Sequence, residues 1–166
     1  MSNIPTIAEL YDLDHTIAKT LLQRHTYPWE VLKELKSFIL ELGATLPADE
    51  YDHPEEGVWV AKDAKVFPSA YIGAPCIIDH GAEIRHCAFI RGSAIIGKNS
   101  VFGNSCEIKN SIIFDDAQTP HYNYVGDSIL GWHSHMGAGS ITSNVKSDRT
   151  NIAIRCGKET AETGVY

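Results

Sequence analysis

The sequence predicts a mainly β fold, a parallel β-solenoid of six-residue repeats behind a short α-helical region. Two observations in the repeat and one ahead of it carry this reading. From Val58 onward large apolar residues recur every six positions: Val60, Val66, Ile72, Ile78, Ile84, Ile90, Ile96, Phe102, Ile108 and Phe114. Four positions after each of the first eight comes a small residue, Ala64, Ala70, Cys76, Ala82, Ala88, Ala94, Ser100 and Cys106, while Ile112 follows Ile108. Two offsets that keep phase together mark a structural repeat. Ahead of it, residues 1–46 follow a helical period instead. Each hexad is read as a short strand ending in a turn, with the large residue inward and the small one at the corner. Three hexads close a triangular coil, and stacked coils bury a continuous core.

Taken in chain order, Thr6 and Glu9 form a capping box ahead of Ile7, Leu10 and Tyr11. A second helix is expected over Thr16–Arg24. A third begins at Pro28, a residue suited to a first turn. It aligns Val31, Leu32, Leu35, Phe38, Ile39 and Leu42 on one face, with Gly43 just past its end. Residues 47–57, with Pro47, Pro54 and a run of acids, read as a linker. Residues 58–150 hold the coils, about five by hexad count, with Ile72, Ile78, Ile84, Ile90 and Ile96 buried. Residues 151–166 end in the polar run GKETAETG and are expected to form a loose tail, the start of further coils.

The next hit would fall on Pro120. The pattern resumes at Tyr124, Leu130, Met136 and Thr142, with Ser128, Ser134 and Ser140 at the small offset. A step of ten residues from Phe114 to Tyr124 predicts that four are extruded as a loop within DDAQTPHYN. Insertions in solenoids become loops on one face, often the binding face. His121 lies in that segment and becomes a candidate functional residue; a surface loop with an incidental histidine is the plain alternative.

The 166 residues carry a net charge of −7, which argues against nucleic acid as a partner. No apolar run approaches transmembrane length, so no membrane partner is expected. The first ten residues lack a basic start and an apolar block, and a cytoplasmic location is expected. Cys76, Cys87, Cys106 and Cys156 fit no CxxC metal pair.

The runs EIKNS at 107–111, PHYNYVGDS at 120–128 and GAGSITSN at 137–144 carry a specific resemblance. Over roughly residues 58–150 the chain resembles the hexapeptide-repeat acyltransferases. It resembles most the acetyltransferase half of bifunctional N-acetylglucosamine-1-phosphate uridylyltransferase/glucosamine-1-phosphate acetyltransferase and its archaeal and clostridial sugar-1-phosphate nucleotidylyltransferase relatives. The resemblance implies a left-handed parallel β-helix and a homotrimer with sites between subunits. It also implies acetyl-CoA as co-substrate, an amino-sugar phosphate as acceptor, and no active-site metal. His121 matches the family's general base, which takes a proton from the sugar amine, a task suited to imidazole. Arg91 and Lys109 match the residues that hold the sugar phosphate. They are three hexads apart, hence stacked in adjacent coils. Tyr124 matches a tyrosine at the sugar phosphate, though its inward phase equally fits a core residue. Asn144 matches an asparagine that orients the amine; a corner asparagine is the other reading.

Three positions depart from the family pattern: His135 replaces an asparagine, Val145 a tyrosine and Thr150 a lysine, with Lys146 and Arg149 close by. His133 and His135 flank inward Ser134 and are expected to point outward. The sequence lacks a glycine-rich nucleotidylyltransferase loop. It also ends where the family adds coils that build the acetyl-CoA groove, so weak donor binding is expected. Two functions remain open: an amino-sugar-phosphate N-acetyltransferase with His121 as base, and a non-catalytic trimeric assembly module of a sugar-1-phosphate nucleotidylyltransferase system. A γ-class carbonic anhydrase is disfavoured, because no two histidines stand five residues apart.

Overall fold

In a computed structural model, residues 4–143 and 145–165 are described. Short helices come first: α1 (Ile7–Leu10), α2 (Lys19–Leu22), α3 (Pro28–Val31) and α4 (Leu35–Gly43). Strands follow in chain order: β1 (Tyr51–Glu55), β2 (Val58–Ala61), β3 (Lys65–Val66), β4 (Tyr71–Ile72), β5 (Cys76–Ile78), β6 (Glu83–Ile84), β7 (Phe89–Ile90) and β8 (Ala94–Ile96). The upper coils contribute β9 (Val101–Asn104), β10 (Glu107–Lys109), β11 (Ser111–Ile113), β12 (Gln118–His121), β13 (Tyr124–Gly126) and β14 (Ile129–Leu130). The last pair is β15 (Ala153–Cys156) and β16 (Glu159–Glu162).

The strands of the coils stack into three parallel ladders, which are the faces of a triangular prism. Face A runs β2-β5-β8-β11-β14, face B β3-β6-β9-β12, and face C β4-β7-β10-β13. This is the parallel β-helix class expected from the hexads, consistent with the left hand that the resemblance implies, and it makes about four turns rather than the five expected. Ile78, Ile84, Ile90 and Ile96 have no exposed surface, and half-buried Ile72 packs against the same core. The corners need a left-handed backbone. Asn99, Asp116 and His133 stand in one corner column, Cys87, Ser105 and Tyr122 in a second, and Ser93, Asn110 and Asp127 in a third, all with φ between 47° and 59°. Asparagine and aspartate tolerate this region best among residues with a side chain.

The coils change length partway up. Ile90 pairs with Ile108 and Ile84 with Phe102, 18 residues apart. Above them Ile96 pairs with Ile113, Phe102 with Thr119, and Ile108 with Val125, 17 apart. One residue is lost at the C/A corner, where Arg91-Gly92-Ser93 of one coil is answered by Lys109-Asn110 of the next. Asn110 N–H donates to Gly92 O at 3.2 Å and Ser111 N–H to Ser93 O at 3.0 Å. The expected four-residue loop is therefore not formed. Its residues build the corner and strand β12, and the inward residues are Ile113, Thr119 and Val125. Phe114, expected inside, is buried on the outside of the prism, its ring 5.4 Å from that of Tyr11.

Face A is buried on both sides. Its inward column is Val60, Ile78, Ile96, Ile113 and Leu130; its outward column is Trp59, Ile77, Ile95, Ile112 and Ile129. The helices lie on the outward column, with Leu21, Leu22, Val31, Leu35, Phe38 and Ile39 in a single cluster with Ile77, Ile95, Ile112 and Phe114. Each side chain fully buried there contributes about 1.5–3 kcal/mol. Thr6 N–H donates to Glu9 Oε2 at 2.8 Å at the start of α1, as its sequence predicts. The third predicted helix is split into α3 and α4. Gly43 lies inside α4, where a Cβ would approach Trp59 to 2.4 Å; the helix must come that close to the sheet. Two further segments differ from expectation. Tyr51–Glu55, read as linker, forms β1 antiparallel to β2, and the tail folds into the β15–β16 hairpin.

Candidate functional site

Face C carries most of the residues singled out from the sequence. Ile90, Ile108 and Val125 fill one inward column, so Arg91, Lys109 and Gly126, one position further on, form an outward column at the C/A corner. Arg91 and Lys109 are stacked in adjacent coils, as their spacing requires. Each cation holds a carboxylate: Arg91 Nη1 lies 2.8 Å from Glu107 Oε1, and Lys109 Nζ lies 3.2 Å from Asp127 Oδ2. Glu107 and Asp127 were not singled out from the sequence. Their offsets of 16 and 18 residues from the cations, about one coil, are the signal that points to them.

Tyr124 faces outward, because the shortened coil moves Val125 into the core. Its ring lies over Gly126, where an added Cβ would stand 2.5 Å from Tyr124 Oη. His121 ends β12 at the B/C corner, exposed, opposite Asn104 of the coil below. Its backbone is fixed on both sides. The N–H donates to Asn123 Oδ1 at 3.1 Å, and the carbonyl accepts from Gly139 N–H at 3.0 Å. Asn123 is buried and donates through Nδ2 to Gly137 O at 2.8 Å and Ser140 O at 3.2 Å. It thus ties His121 to the GAGSIT coil; the sequence register assigns it to the extruded segment, which is what hid it. Asn144 lies outside the described residues. His133 and His135 are exposed.

A cavity of about 310 Å³ opens at the C/A corner. Lys109, Gly126, Asp127 and Thr142 line one side, with Trp29 and Leu32 near α3 and Ile152, Ile154 and Val165 of the tail opposite. Of the residues carried over from the resemblance it takes in Lys109; His121, Tyr124 and Arg91 do not line it. Neither core thiol is suited to act as a nucleophile. Burial pushes the Cys76 thiol up to about 12, and Cys106, raised by burial, donates to Thr119 O at 3.1 Å. Among the described residues no three His, Cys, Asp or Glu side chains are placed to hold a metal ion. Nor is any helix there long and apolar enough to cross a membrane.

The family model of the GMPPB C-terminal domain matches residues 72–154, half of the sequence and all of the upper coils. The chain belongs to this family. Among curated relatives, a bifunctional protein GlmU of Methanococcus maripaludis is 33% identical over 130 residues, covering 77% of this chain and 32% of the relative. Another from Methanococcus maripaludis is 43% identical over 67 residues, covering 40% of this chain and 16% of the relative. The GlmU of Jannaschia is 28% identical over 137 residues, covering 70% and 30%. The chain thus spans less than a third of the length of these GlmU proteins. Among solved structures, the acetyltransferase domain of PglB from Neisseria gonorrhoeae superposes with a TM-score of 0.53 at 18% identity, covering 69% of this chain and 52% of that one. This last likeness is one of fold. Together these findings make the chain a hexapeptide-repeat protein of the GMPPB C-terminal domain family.

Proposed function

We propose that the chain transfers an acetyl group from acetyl-CoA to the nitrogen of an amino-sugar 1-phosphate, as part of a homotrimer in the cytoplasm. The observation that supports this most is the placement of the matched segment. It sets the stacked Arg91 and Lys109, outward Tyr124 and the backbone-fixed His121 on face C and its leading corner. Acetyl-CoA supplies the acetyl group as a thioester. His121 takes the proton that the amine loses as the N–C bond forms and the C–S bond breaks, releasing CoA thiol. Arg91 and Lys109 hold the phosphate, exchanging Glu107 and Asp127 for a more highly charged anion. Tyr124 flanks the sugar and Asn144 orients its amine.

The carboxylates already on Arg91 and Lys109 favour a second reading, a non-catalytic assembly module of a sugar-1-phosphate nucleotidylyltransferase system. Release of free CoA thiol in the presence of glucosamine 1-phosphate tests the first against the second. An acetyltransferase releases thiol and acetylated sugar in equal amounts. An assembly module leaves acetyl-CoA intact.

A further inference from the structure

A second cavity, of about 260 Å³, lies where the helices meet the A/B corner of the coils, away from face C. Its deepest polar group is Asp79, which has no exposed surface. Asp79 Oδ1 accepts from Tyr51 Oη at 2.5 Å and from His80 N–H at 2.8 Å. Among the described residues Asp79 Oδ2 has no hydrogen-bond partner. A buried carboxylate oxygen without a donor carries a desolvation penalty that a bound donor would relieve. The surrounding charge is also one-sided. Asp115, Glu50 and Asp14 line the same cavity with His80 and the ammonium of Lys98; Glu50 Oε2 lies 3.3 Å from His80 Nε2, and Asp14 is paired with Lys19, so the carboxylates outnumber the cations. Asp115 is itself held above the ordinary carboxylate range by burial, with Asp79 adding to the effect.

We propose that this cavity binds a short aliphatic diammonium ion, with one end on Asp79 Oδ2 and the other at the carboxylates of the rim. The donor set fits an organic ammonium better than a bare metal. Among the described residues no three His, Cys, Asp or Glu side chains gather as metal ligands would. The carboxylates are spread in depth: Asp79 is fully buried, while the Glu50 and Asp14 side chains are 55% and 77% exposed. Between these levels Ile17, Leu46 and Pro47 supply an apolar wall for a methylene chain. Lys98, its backbone N–H on Asp115 Oδ1 at 2.8 Å, leaves a net negative lining.

Putrescine is the probe, titrated by calorimetry into the 166-residue protein at low salt, with magnesium chloride titrated in parallel. Saturable putrescine binding is expected, weakened by salt as ion pairing requires. Asp79→Asn keeps an acceptor for Tyr51 and places a donor where Oδ2 stood, and should weaken binding by tenfold or more. Should that variant fold poorly, Leu46→Trp fills the cavity without changing any charge and should abolish binding. The proposal is overturned by absence of saturable binding, by equal affinity in Asp79→Asn or Leu46→Trp, or by magnesium binding that excludes putrescine. None of these outcomes bears on the chemistry proposed for face C.

Discussion

Buried Asn123 shows how a single side chain can position another. It accepts from His121 N–H and donates to two carbonyls of the coil above, so its loss leaves buried polar groups unpaired. Asn123→Ala should destabilise the fold by about 1–3 kcal/mol, read as a lower urea midpoint with an unchanged slope. His121→Ala should leave the fold intact and lower turnover by about 10²–10⁴-fold with little change in sugar affinity. Unchanged turnover would remove His121 from the mechanism. Arg91 and Lys109 belong to binding. Truncating either should weaken the phosphorylated sugar by about 1.5–3 kcal/mol, the range for charge-assisted bonds. The unphosphorylated sugar should be affected far less; equal losses would show that the pair does not read phosphate.

At the scale of the coil, the period was legible and its correction was not. Every inward residue through Ile108 follows from the six-residue spacing. The next stretch is Ser-Ile-Ile-Phe at 111–114, where Ile112, Ile113 and Phe114 are all apolar and all buried. Hydropathy cannot tell which faces in, because face A is covered on both sides. The missing corner residue therefore reads as an insertion further on, which puts His121 in a loop rather than at the end of β12 and leaves Tyr124 in the inward phase that Val125 occupies. The same doubly apolar triplets, once per coil, were a legible sign that something packs on face A. Two substitutions test the observed register. Ile113→Ala should cost about 2–5 kcal/mol, as expected for a core isoleucine. Gly103→Ala would bring a Cβ to 1.7 Å from Pro120 O, a contact the 17-residue step creates, and should cost about 1–3 kcal/mol or more. Melting temperatures equal to that of the parent protein would contradict the register.

On the scale of the molecule, the helices use one prism face and leave two. Face A is shielded by Leu21, Leu22, Leu35 and Ile39, so a trimer must assemble through faces B and C. Face C presents Tyr71 and Phe89, 60% and 42% exposed, with ring centroids 5.5 Å apart. Sedimentation equilibrium should give three copies, and Phe89→Glu should dissociate them, since charge at an apolar contact is costly to bury. A monomer in the parent protein would leave face C without the neighbouring subunit that the proposed site requires. The acetyl transfer itself is tested most directly by following CoA thiol release with glucosamine 1-phosphate, in the parent protein and His121→Ala side by side. The account predicts thiol and N-acetylated sugar in equal amounts from the parent, and a rate at least about a hundredfold lower without the imidazole. Thiol release no faster than in buffer, or equally fast in His121→Ala, would contradict it.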